Sequence, residues 1–82
     1  MKTEDLRIEL KALQRKDTEN AITKGFNNKY DWFKFIIKQN TDEIAQSIQE
    51  IAQRYQINEN IIAFHFDPTM IIRLNKLKSY KI

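Results

Sequence analysis

Leu6, Leu10 and Leu13 recur at spacings of four and three, with Ile8 and Ala12 beside them. This period places one apolar stripe on a helix. Thr3 reads as its N-cap, Glu4 and Asp5 complement the positive end of its dipole, and the helix is expected to run to about Arg15. Asp17 or Thr18 can then cap a short second helix through Ala21 and Ile22, ended by Gly25, Asn27 and Asn28. The following stretch, KYDWFKFIIKQ, continues an apolar series of Ile22, Phe26, Tyr30, Phe33 and Ile37, and is expected to be helical; read as a strand it would group Phe33, Phe35 and Ile37. The clearest period lies in DEIAQSIQEIAQRYQ, capped by Thr41, where Ile44, Ile48, Ile51 and Tyr55 share a face with Ala45 and Ala52.

Beyond Ile57, Asn58 can cap another short helix, and Asp67 followed by Pro68 supplies a stop and a fresh start. The last helix would hold Met70, Ile71, Leu74 and Leu77. A second reading of residues 60–75 exists: Ile62, Phe64 and Phe66 alternate with Ala63 and His65, and Asp-Pro is a turn signal, so a β-hairpin also fits. The expectation is a mainly α, compact single domain of four or five helices spanning residues 1–82, with an α+β fold carrying a C-terminal hairpin as the alternative.

Composition supports the helical reading. The chain of 82 residues has one glycine, Gly25, and one proline, Pro68, which leaves few tight hairpin turns. A domain this short hides only roughly 60–65% of its unfolded surface, so good packing or a partner, including a second copy, is needed for stability. The absence of cysteine removes disulfides, thiolate nucleophiles and Cys-ligated zinc. The opening residues lack the apolar run of a signal peptide, and no apolar run reaches the roughly 18 residues of a membrane span. A soluble, cytoplasmic protein with no membrane association is expected.

The net charge of +3 is unevenly spread. Residues 39–67 carry Arg54 against five carboxylates, whereas residues 68–82 carry Arg73, Lys76, Lys78 and Lys81 with no acid. The single histidine, His65, has no cysteine or second histidine to form a transition-metal site, and neither Ser47 nor Ser79 pairs with it as a nucleophile. Glu4/Asp5 and Asp42/Glu43 stand at helix starts, where the dipole accounts for them, and one glycine cannot make a phosphate loop. Function by binding is expected, with no catalytic residue, metal or cofactor.

One segment has the register of a known device. In EIAQRYQINENIIAFH, residues 50–65, Ala52 stands where two helices cross, Ile57 ends a turn, Asn58 opens the next helix, and Ile51 and Ile62 lock the pair together. Glu50-Ile51-Ala52, Ile57-Asn58-Glu59, Ile62 and His65 resemble the DNA-binding segment of LuxR-type response regulators, often of the form EIAxxLxISExTVxxH. Gln56 stands where many helix-turn-helix proteins have glycine, Tyr55 replaces a leucine, and Pro68 shortens the second helix.

The resemblance implies a small DNA-binding regulator, with Asn58, Glu59, Asn60, Ala63 and Phe64 on the recognition helix. Arg73, Lys76, Lys78 and Lys81, or the amino-terminal lysines, would stand beside the phosphates. A rival expectation is a protein-binding module, such as a small inhibitor, adaptor or phage- or plasmid-type accessory protein. It would use the acidic middle at Glu50 and Glu59 or the aromatic cluster at Trp32 and Phe35, and a homodimer is compatible with either.

Overall fold

The computed structural model describes residues 2–79. Five helices follow one another: α1 (Lys2–Thr23), α2 (Lys29–Ile36), α3 (Glu43–Tyr55), α4 (Glu59–Phe66) and α5 (Pro68–Ser79). No strand occurs among the described residues. Leu13 of α1, the isoleucines of α3, Ile62 and Phe66 of α4, and Met70, Leu74 and Leu77 of α5 meet in one core.

α1 is continuous where two helices were expected. No glycine or proline interrupts residues 2–23, Thr3 lies inside the first turn, and the Asp17 carboxylate is engaged by Trp32 and Arg73 instead of capping a new helix. Gly25 terminates α1 at φ +93°, with Phe26 N–H donating to Ala21 O and Gly25 N–H to Ile22 O, both at 2.9 Å. This pair of bonds closes the helix by satisfying its last carbonyls, and the positive φ at its centre suits glycine.

The chain reversal at Gly25 also breaks the apolar period expected to run from Ile22 into α2. Ile22 and Tyr30 are exposed, while Trp32 is buried and packs on Phe26 and Phe35 with ring centroids 5.8 Å from each. Asn28 caps α2 by accepting the Asp31 N–H at 2.8 Å.

α3 buries Ile44, Ala45, Ile48, Ile51 and Ala52, the face its period assigns. Its N-cap is Asp42, not Thr41: Oδ1 accepts the Ala45 N–H at 3.2 Å. α4 and α5 replace the alternative hairpin. Asp67 is extended and its Oδ1 accepts both the N–H and the hydroxyl of Thr69, so Pro68 opens a helix whose first turn is already capped. Ile62, Ala63 and Phe66 point inward while Phe64 points out, a helical pattern that no strand can produce.

Candidate nucleic-acid interface

α3 and α4 are joined by three residues, Gln56 to Asn58, and each has a defined task. Gln56 adopts the left-handed conformation at φ 54°, Ile57 N–H donates to Ala52 O at 3.0 Å, and Gln56 N–H donates to Gln53 O at 3.3 Å. This is the bonding pattern with which Gly25 ends α1, carried here by a side-chain-bearing residue. Asn58 then caps α4, its Oδ1 accepting the Asn60 N–H at 2.8 Å. The turn thereby sets the direction of α4, with backbone bonds at its α3 end and a side-chain cap at its α4 end.

The inner side of α4 is held by Ile62, Ala63 and Phe66, and its outer side presents Asn60, Ile61, Phe64 and His65 to solvent. Ile61 is 54% and Phe64 65% exposed, large values for such apolar side chains. The Phe64 and His65 rings meet edge to face at 5.7 Å. α5 returns beside α4, so that Lys78 Nζ lies 3.3 Å from Glu59 Oε1 at the start of α4. Asn58, Glu59, Asn60 and Lys78 are therefore brought together, and Lys76 is half-buried one position before Leu77 on the same helix. Lys81 lies outside the described residues.

Two expected groove or phosphate contacts are displaced to the interior. Ala63 is 0% exposed and belongs to the core shared by α3, α4 and α5. Arg73 is 3% exposed and forms a bridge across the fold. Its Nε and Nη2 donate to Asp42 at 2.7 and 2.9 Å, and Nη1 and Nη2 donate to Asp17 at 3.1 and 3.2 Å. Burial by itself would lower the Arg73 pKa, and the two carboxylates more than offset it, raising the value further above its ordinary one. Arg73 thus ties α5 to α1 and to the N-cap of α3.

The rival aromatic surface is likewise corrected. Trp32 is buried and its Nε1 donates to Asp17 at 2.9 Å, while Phe35 is half-buried against Phe26 and Trp32. Glu50 is exposed on α3, and Glu59 is half-buried beside Lys78.

Sequence reasoning missed Asp17 and Asp42 as partners of Arg73, although a signal was present. Asp17 continues the stripe of Leu6, Leu10 and Leu13, and Arg73 sits between Met70 and Leu77 on the buried side of α5. A charge on an apolar stripe requires a buried counter-charge, and these two supply one another.

A second polar link joins α1 to the end of α3. Arg54 Nη2 lies 2.7 Å from Glu9 Oε1, and the Tyr55 hydroxyl donates to Glu9 Oε2. The Tyr55 hydrogen bond, followed by that of Arg54, holds the Glu9 pKa below its ordinary 4.5, and the bond to Glu9 raises that of Tyr55 above 10.0. A lowered carboxylate contributes stability that is complete above pH 4.5 and lost as the pH falls through the folded value. The raised phenol contributes below pH 10.0 and loses its share as the pH rises through its folded value. Tyr55→Phe should accordingly lower the urea midpoint at pH 7, and the gap to wild type should narrow on acidification to pH 3. An equal gap at both values would mean that Glu9 is not the partner that matters.

Comparison of the chain with protein-family models, curated proteins and solved structures gives no match. Among the described residues, no helix is long and apolar enough to cross a membrane.

Proposed function

We propose that the protein binds duplex DNA with α4 set in the major groove. The observation that carries this reading is the solvent-facing side of α4, with Asn60, Ile61, Phe64 and His65 displayed by a helix whose other side is locked to α3 through the Gln56–Asn58 turn. A recognition helix needs this division of labour, because side chains can read base edges only if the helix that presents them is held rigidly. Eight residues span about 12 Å at 1.5 Å each, which is about the width of the groove.

The exposed chemistry is suited to that groove. Asn60 carries the amide that pairs with adenine, and Ile61 and Phe64 offer apolar surface to thymine methyl groups. Glu59, which would repel phosphate, is paired with Lys78. Of the cations expected beside the phosphates, Arg73 is committed to two carboxylates inside the fold, and Lys78, shared with Glu59, is the one that stands at the start of α4.

The test is a fluorescence-anisotropy titration against a labelled random duplex at low and moderate salt, with light scattering to fix the stoichiometry. Binding should weaken steeply as salt rises. Once a preferred site is selected, Asn60→Ala and Phe64→Ala should each lose about 1–3 kcal/mol of discrimination there, roughly 5- to 150-fold, with unfolding midpoints near wild type. No binding at low salt would sink the proposal. A second reading would then stand, favoured by the same exposed Ile61 and Phe64: a protein partner seated on the outer side of α4.

A further inference from the structure

A cavity of about 620 Å³ lies away from the Lys78 end of α4. It is an open groove whose walls are the middle of α1, the start of α2 and the corner between α4 and α5 at Phe66 and Asp67. Gln14 of α1 fixes that corner by donating Nε2 to the Phe66 carbonyl at 3.4 Å. Lys11 and Arg15 stand on one side of the groove and Lys29 on the other.

The charges of the groove are unequally committed. Asp17 is held by Arg73 and Trp32, and Asp67 by Thr69 and by Lys29 at 3.7 Å. Lys11 and Arg15 are exposed and make no ion pair with a described residue; Glu19, equally exposed, lines the same groove, so two open cations stand against one open carboxylate. Two cations are thus available at the C-terminal end of α4, while Lys78 stands at its N-terminal end.

That bracketing has a geometric consequence. A helix about 12 Å long set across a major groove about 12 Å wide has a phosphate strand near each of its ends. Cations at both ends can therefore engage both strands.

We propose that this groove seats a backbone phosphate of duplex DNA, held by Lys11 and Arg15, on the strand opposite to the one that Lys78 meets. The proposal rests on the DNA reading given above and adds to it a second strand contact made by α1. Sequence selection is left to α4, because a phosphate contact positions the protein without reading bases.

The experiment measures the dependence of log K on log salt for a short labelled duplex, comparing wild type with Lys11→Gln/Arg15→Gln and with Lys16→Gln/Lys24→Gln. Both variants lose two exposed positive charges and have the same net charge, but Lys16 and Lys24 lie outside the groove. The groove variant should lose about 0.9 from the magnitude of the slope, the share of one neutralised phosphate, while the control keeps the wild-type slope. Equal losses in the two variants would overturn the groove, since binding would then follow net charge alone. A wild-type slope in the groove variant would overturn it also, leaving the α4 reading in place. If wild type itself shows no salt-dependent binding, the DNA reading fails and the phosphate seat fails with it. Thermal unfolding of each variant confirms that the fold is intact.

Discussion

Replacing Arg73 by methionine is expected to destabilise the protein by about 3–5 kcal/mol, the cost of removing one member of a buried ion network and leaving its partners uncompensated. The side chain of Arg73 is 2% exposed and binds Asp42 and Asp17 together, so methionine fills much of the space but leaves two carboxylates facing one another. A domain of this size has roughly 4–12 kcal/mol of stability in total, so the loss is a large share of it. The melting temperature should fall by more than about 10 °C, at 4–8 °C for each kcal/mol.

The network itself predicts a partial rescue. Adding Asp17→Asn and Asp42→Asn to Arg73→Met removes the orphaned charges while keeping an asparagine at the N-cap of α3, and should recover part of the lost stability. Circular-dichroism melts of the three proteins decide the matter. A single variant that melts with wild type would show that the Arg73 bridge does not hold the fold together.

The second large effect is expected at Leu74. It is fully buried among the core side chains of α3, α4 and α5, and Leu74→Ala should cost about 2–5 kcal/mol through lost burial and the cavity left behind. Ile72, two residues earlier and 51% exposed, provides the contrast: Ile72→Ala should remain within about 0.5 kcal/mol of wild type. Urea titrations read both, and similar midpoints for the two variants would mean that α5 is not packed by the face described. Because Leu74 and the exposed side of α4 do not overlap, a DNA-binding loss in Leu74→Ala should track unfolding, whereas one in Phe64→Ala should not.

The legible parts of this fold are those in which a single helix carries its own evidence. Ile44, Ile48 and Ile51 repeat at helical spacing, Asn58 precedes α4, and Asp67-Pro68 precedes α5, so the apolar face and the caps could be read residue by residue. The continuous α1 was not legible as one helix, because Asp17 and Thr18 are good caps in isolation and only the pull of Trp32 and Arg73 removes Asp17 from that role. The apolar series through Ile22, Phe26 and Tyr30 failed at Gly25, since helical phase is lost across a chain reversal.

For the candidate site, local caps and a helical period pointed to the α3–α4 pair and its short turn, whereas the outward face of α4 was drawn from the resemblance, which placed Asn60 and Phe64 outside as the structure does but also Ala63, which is buried. Tertiary structure decided the charges. Arg73 is one of four cations in residues 68–82 and no different from the others by type, yet it is drawn inside by two aspartates 31 and 56 residues away along the chain. Lys11 and Arg15 lie far from α4 in sequence and reach its end because α1 packs across α3 and bonds the Phe66 carbonyl. The difference has one physical origin: caps and periods are set by neighbours along the chain, whereas the role of a charge is set by whatever the folded chain brings within a few ångströms of it.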